Sequence, residues 1–254
     1  MAVVAVYNLK GGVGKTATTV NLACLSAAAG YPTLVWDLDP QGAAGWYLDA
    51  GLAKTDAKRL VKGESAIGRM VNTTPYENLF LLPASFSYRY MDVFLRKVKP
   101  RRAALGKMLA PFAQQFPMIF LDCPPSLSHL AENVFEAADS ILLPTIPTWL
   151  SIRALAQLQG HFDAEKLNPS KLRPFYSMAD RRRSLHAELL AQPPAPMKHR
   201  LKTVLPYSSL VEQMGAHRAP IFAYAHPGHP VSQAYAKLWQ EMMDKLPTSA
   251  KPAR

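Results

Sequence analysis

Lys10-Gly11-Gly12-Val13-Gly14-Lys15-Thr16 follows directly on an apolar, β-branched run, Val3-Val4-Ala5-Val6, and leads into a helix-like stretch from Ala17 to Ala29. Strand, glycine loop, Lys-Thr and helix in that order are the context of a phosphate-binding loop. Glycines let backbone N–H groups turn inward around phosphate oxygens without Cβ clashes. Lys15 is placed to reach β- and γ-phosphates, and the Thr16 hydroxyl to ligate Mg²⁺. The helix start adds a favourable dipole for an anion. Gly11, Gly12, Val13 and Gly14 supply the cradle, with Ala17 on the first helical turn.

Two further segments end apolar strands in acid. Leu34-Val35-Trp36-Asp37-Leu38-Asp39-Pro40-Gln41-Gly42 carries two aspartates, and Phe116 to Pro125 reads FPMIFLDCPP, with Asp122 at the end of its apolar run. Phosphoryl transfer to water requires a positioned water, charge neutralisation and a metal. A carboxylate at the end of such a strand can orient water or a water ligand of Mg²⁺. Asp37 is expected on the same strand face as Asp39, supporting the metal shell. A lone aspartate here would read as a turn residue; two ending buried strands beside a phosphate loop do not.

Lys10 precedes the glycines, where an ordinary phosphate loop requires no cation. The run KGGVGKT resembles the deviant Walker A motif of the ParA/MinD ATPases, with the DxDPQG-like and DxPP-like segments as its two switches. Asp180-Arg181-Arg182, Pro220-Ile221, Ala234-Tyr235 and Leu238 resemble later family positions, so the likeness spans nearly the whole chain. The resemblance implies an ATP hydrolase that uses Mg²⁺. Lys10 would cross a nucleotide-sandwich homodimer to the partner's phosphates, the logic of an arginine finger supplied in trans. Lys10, Lys15 and Asp39 become the catalytic set, with Asp39 needed for hydrolysis and not for binding. Thr16, Asp39 and Asp122 become the metal set, the aspartates acting through water. The family usually carries a further Thr where this chain has Ala17. Adenine positions follow two late strands, pointing to Met178 and to Pro206-Tyr207, which equally suit loop packing.

The rest of the chain fits an α/β single-domain P-loop NTPase with a mostly parallel twisted sheet flanked by helices on both faces. Apolar runs near 2–7, 33–38, 78–83, 117–121, 139–144, 172–177 and 201–205 alternate with helix-like runs. The 254 residues suffice for one full core. The ATPase domain is expected over 1–246, with a loose tail over 247–254. Pro100 is expected to separate a helix near 86–99 from another near 101–113. Cys24 and Cys123 give no disulfide framework and read as core residues in a reducing cytosol. No window reaches the roughly 20 apolar residues of a membrane span, so the expected location is cytoplasmic.

Charge is the remaining signal. Net charge is +11, from 29 Lys and Arg against 18 Asp and Glu, an excess that attracts polyanions without specifying sequence. One block is Arg96-Lys97-Val98-Lys99-Pro100-Arg101-Arg102 with Arg89 and Lys107, and a second is Arg181-Arg182-Arg183. The third holds Lys198, Arg200 and Lys202, with Arg218 further on. The resemblance implies non-specific DNA binding by ATP-bound dimers, nucleoid association and an activating cargo or adaptor protein. The third cluster is the candidate DNA surface; the alternative is a set of solvated basic faces. Leu210 stands where Soj-like chains carry a DNA-contacting arginine. The rival is MinD-like or scaffold-type positioning on a membrane or protein matrix. The C-terminal helix argues against a membrane, because Lys237, Glu241, Asp244 and Lys245 cancel on its polar face. His217, His226 and His229 read as loop residues.

Overall fold

The sheet is assembled from strands β1 (Ala2–Val6), β2 (Thr33–Asp37), β3 (Asn72–Thr73), β4 (Leu79–Leu82), β5 (Met118–Asp122), β6 (Ser140–Thr145), β7 (Leu172–Ala179) and β8 (Val204–Pro206). These come from a computed structural model that describes residues 1–50, 56–63, 67–249 and 251. Their spatial order is β3-β4-β2-β5-β1-β6-β7-β8. Every pairing is parallel except β3 with β4. β1 and β5 lie at the centre and are buried at every residue, which is why their sequences run apolar without alternation.

The helices are α1 (Lys15–Ala28), α2 (Ala43–Tyr47), α3 (Ala57–Val61), α4 (Met91–Leu95), α5 (Ala104–Leu109), α6 (His129–Ala137), α7 (Trp149–Ala164), α8 (Ser184–Ala191), α9 (Ser209–Glu212), α10 (Met214–His217) and α11 (Pro230–Lys245). The sheet separates two apolar clusters. Val3, Ala5 and Tyr7 of the first strand segment pack with Trp36, Phe112, Phe135 and Phe162 on one face. Ala2, Val4 and Val6 pack with Val20, Leu22, Phe175 and Leu238 on the other. The period-two alternation of strand side chains divides each strand between the two cores.

The expected seven strands are present, with two differences. A short antiparallel strand, β3, joins the edge, and the last strand begins at Val204, after the expected start. The helix expected near 86–99 is a 3₁₀ turn, Phe86–Tyr90, running into α4, and the next is confined to α5. Buried Asn133 decides where α5 begins. Its Oδ1 accepts from the N–H groups of Ala104 and Leu105 at 3.0 and 3.3 Å, and its Nδ2 donates to the carbonyls of Arg101 and His129. That capture satisfies helix-start donors from another element. In α11, Val231, Ala234, Tyr235, Leu238 and Met242 face the core. Among the described residues no helix is long and apolar enough to cross a membrane.

Candidate functional site

The phosphate loop leaves β1 through Tyr7 and Asn8. Asn8 Oδ1 accepts from the Lys10 N–H at 2.8 Å, and Asn8 Nδ2 donates to the Pro144 carbonyl at 2.9 Å. One buried amide thus fixes the loop entry to the end of β6. Gly12 and Gly14 adopt φ of 70° and 90°, a region costly for residues with a Cβ. A Cβ on Gly11 or Gly12 would meet no atom within 4 Å. Lys15 is buried, and its Nζ donates to the Lys10 carbonyl at 3.1 Å. Burial pushes its ammonium below the usual range, against the pull of nearby Asp122.

Asp122 and Asp37 end adjacent strands at the same register position, and both are buried. Asp122 Oδ2 accepts from Thr16 Oγ1 at 2.7 Å, and its Oδ1 accepts from Thr19 Oγ1 at 3.1 Å. Burial raises its carboxyl to about 6, opposed by those two hydroxyls and by Lys15. Burial, then the Asp122 charge, lifts Asp37 well above the usual carboxylate range. Asp37 also organises the following segment. Its Oδ2 accepts from the N–H groups of Ala44 and Gly45 at the start of α2, and its Oδ1 from that of Asp39.

Asp39 lies two residues past the end of β2 and is half-buried. Its Oδ1 accepts from the Gln41 N–H at 2.9 Å. The strand-end position expected for Asp39 therefore belongs to Asp37, because pairing with β5 stops at the Asp37–Asp122 register.

These residues fit a divalent hard cation. Two buried carboxylates share one strand register, and the Thr16 hydroxyl contacts one of them. Among the described residues no cluster of three or more His, Cys, Asp or Glu could hold a metal by itself. Magnesium, which takes one or two carboxylates plus substrate phosphates, suits such a sparse donor set.

The late-strand residues come to the same place. Met178, with φ of 54°, Pro206 and Tyr207 line a cavity of about 190 Å³ together with Gly12, Gly14 and Ala17. Tyr47, which carries no sequence signal, and Tyr235, singled out only as a later family position, also line it. The buried His186 Nδ1 accepts from the Asp180 N–H at 3.1 Å, fixing the turn after Met178. Asn21, buried on α1, anchors the chain beyond α10: its Oδ1 accepts from the Ile221 N–H at 2.9 Å.

The basic residues disperse. Arg101 pairs with Glu132 at 2.9 Å, and Arg102 with Glu165. Arg182 pairs with Asp180 at 2.9 Å. Lys198 and Lys202 are exposed ahead of β8, while Arg200 stacks 5.9 Å from the Tyr176 ring. Arg218 pairs with Asp49 and lies 4.3 Å over the Trp46 ring, past the opposite end of the parallel sheet. The structure therefore does not bring Arg218 together with Lys198, Arg200 and Lys202. The histidines hold backbone or stack: His229 Nδ1 accepts from the Val231 N–H, His226 Nδ1 from the Gly228 N–H, and His217 lies on Tyr224.

The family described as an AAA domain matches residues 1–170. The chromosome-partitioning ATPase Soj of Treponema pallidum is 33% identical over 227 residues, covering 85% of this chain and 87% of that protein. The chain belongs to the ParA/Soj family of P-loop ATPases. The sporulation initiation inhibitor protein Soj of Bacillus subtilis is 29% identical and is matched over 97% of its length. Among solved structures, an aspartate-to-alanine variant of Cyanothece McdA with ATP superposes with a TM-score of 0.80 at 17% identity, covering 95% of this chain and 96% of that one. This last likeness shows the fold alone. Two hydroxyls of the ParA/Soj chain's site, Thr19 and Ser151, escape the motif reading. Thr19 lies one helical turn past Lys15, and Ser151 Oγ accepts from Lys10 Nζ at 3.3 Å.

Proposed function

We propose that this ParA-family ATPase works as an ATP-driven dimer that positions or segregates a cargo along non-specific DNA and is reset by hydrolysis. One observation carries the reading. Lys10 Nζ donates to Ser151 Oγ at 3.3 Å, in the first turn of α7. There Trp149 and Leu150 are 55% and 68% exposed. A cation beside uncovered apolar side chains at the mouth of a phosphate site supports a second copy covering that face.

ATP would bind with its phosphates over Gly11 to Thr16 and its base in the cavity of Met178, Pro206 and Tyr207. Backbone N–H groups and Lys15 orient and neutralise the phosphates. Lys10 of each chain adds charge to the other's γ-phosphate. Asp39, on a half-buried turn, would orient the attacking water. Mg²⁺, held by Thr16 and steadied from Asp122 through water, would supply neutralisation of the β- and γ-phosphate charge. Asp37 holds the segment that carries Asp39, so loss of the γ-phosphate would release one connected unit. An activating partner would then dissociate the dimer.

Three variants and one titration test this. Lys15→Ala is expected to lose nucleotide affinity. Asp39→Ala is expected to retain ATP and accumulate as dimer on sizing, and Lys10→Ala to bind ATP as monomer. Random duplex DNA is then titrated onto Asp39→Ala with ATP, with ADP and without nucleotide across a salt series. ATP-specific binding that falls steeply with salt is the expected outcome. An Asp39→Ala protein that stays monomeric with ATP would sink the switch. An ATP dimer that ignores DNA would move the matrix to a protein scaffold.

A further inference from the structure

The 3₁₀ turn Phe86–Tyr90 and the α4 helix that continues it to Leu95 present two apolar faces. Tyr88, Met91 and Leu95 point inward and are buried in the core. Phe86, Tyr90 and Val93 point outward and are 67%, 48% and 50% exposed. All three lie on the solvent side of the run, away from the buried Tyr88, Met91 and Leu95. A helix apolar on both faces is normally covered on both, and a cluster of large exposed apolar side chains marks an interaction surface.

The outward side is interleaved with cations. Arg89, Arg96 and Lys97 are exposed in and just after the same run, and among the described residues none of them is in an ion pair, whereas Arg101 and Arg102 are neutralised. The run's one acid, Asp92, is spent elsewhere: its Oδ1 accepts from the Leu130 N–H at 2.9 Å, at the start of α6. Arg89 lies flat over the Tyr90 ring, 4.7 Å from its centroid. The face is thus a mixed ladder of apolar and cationic groups.

We propose that this face, Phe86, Arg89, Tyr90, Val93, Arg96 and Lys97, docks an acidic amphipathic helix of a partner protein. Charge complementarity selects the occupant. Leucine-like side chains would cover Phe86, Tyr90 and Val93, and Asp or Glu at flanking positions would meet the three cations. A lipid surface suits a helix whose apolar and basic faces are segregated, and here they are mixed. Contacts to a duplex phosphate backbone would use the cations and leave the apolar side chains uncovered. Through Asp92 and Leu130, the docked helix would sit one hydrogen bond from α6, which follows the Asp122 switch. Only this consequence rests on the ATP-switch reading; the docking itself does not.

The test uses the full chain without nucleotide, so that its failure is separate from failure of the ATP cycle. The probe is a fluorescein-labelled helical peptide with a leucine stripe flanked by glutamates, followed by anisotropy. Saturable binding is expected, weakened roughly tenfold or more by Phe86→Ser/Val93→Ser and by Arg89→Glu/Arg96→Glu. These positions are exposed, and far-UV circular dichroism checks that the variants fold. The Arg89→Glu/Arg96→Glu chain is expected to gain affinity for the same peptide with lysines replacing the glutamates, a rescue that misfolding cannot give. Phosphatidylserine vesicles and duplex DNA are titrated in parallel. The proposal is overturned if the glutamate peptide does not bind. It is also overturned if the apolar substitutions weaken vesicle or DNA binding and leave the peptide untouched.

Discussion

Substituting alanine at each loop glycine should give a graded series in the nucleotide-free protein, because the three sites differ in backbone and surroundings. Gly11 has no positive φ and an added Cβ would meet nothing within 4 Å. Gly11→Ala should therefore change stability by less than about 0.5 kcal/mol. Gly12 has φ of 70° and is also open, so Gly12→Ala should lose only the left-handed penalty, about 1–2 kcal/mol. Gly14 combines φ of 90° with a Cβ that would lie 3.2 Å from Ser177 Oγ. Ser177 is buried on β7, so its hydroxyl has little room to yield. The contact adds about 1 kcal/mol, the lower end of overpacking costs. The sum for Gly14→Ala is about 2–3 kcal/mol, a fall in melting temperature of roughly 4–12 °C for a domain of this size. Thermal unfolding by circular dichroism without nucleotide measures all three. If Gly14→Ala melts with Gly11→Ala, Gly14 has neither the left-handed torsion nor the close approach to Ser177.

Other perturbations probe the surrounding hydrogen bonds. Thr19→Val keeps the shape but removes the hydroxyl given to Asp122, and should cost about 1–3 kcal/mol for a buried unsatisfied acceptor; an unchanged urea midpoint would contradict that bond. Asn133→Leu leaves the buried N–H groups of Ala104 and Leu105 without their acceptor. It should cost about 2 kcal/mol or more, with faster amide exchange concentrated at the start of α5; uniform exchange changes would count against it. Burial lowers the His186 imidazole below its ordinary range. The folded state therefore disfavours the charged form, and the stability from neutral His186 is complete above the unfolded value of about 6.5 and is lost as pH falls below it. NMR titration should place the His186 midpoint under that value, with Asp180 amide exchange rising as the ring charges. A midpoint above it would refute the acceptor role. Trp46 Nε1 donates to the Gly215 carbonyl at 2.8 Å. Trp46→Phe should loosen α2 from α10, read as faster exchange at residues 44–48, and should cost at most about 1–1.5 kcal/mol because the site is exposed.

Much of this protein was legible in the sequence because its decisive signals are local. The glycine pattern between an apolar run and a helix sets backbone torsions within seven residues, and those torsions make the cradle of Gly12 and Gly14. Fully apolar runs announce strands buried on both faces, and β1, β2 and β5 are of that kind. Apolar runs ending in acid pointed to the Asp37–Asp39 segment and to Asp122, with Asp39 expected to close β2, the place that Asp37 takes. Tertiary structure decided what depends on residues far apart in the chain. The pairing register of β2 with β5 put Asp37 opposite Asp122 and left Asp39 beyond the strand. An amide from α6 set the start of α5, where the apolar pattern and Pro100 alone suggested a longer helix. Arg218 was turned to Asp49 and Trp46, away from the basic cluster it neighbours in sequence. Local sequence fixes torsion preferences and which faces must be buried. Which charge meets which is a long-range choice, set by the sheet order that brings Asp49 and Arg218, 169 positions apart, into one ion pair.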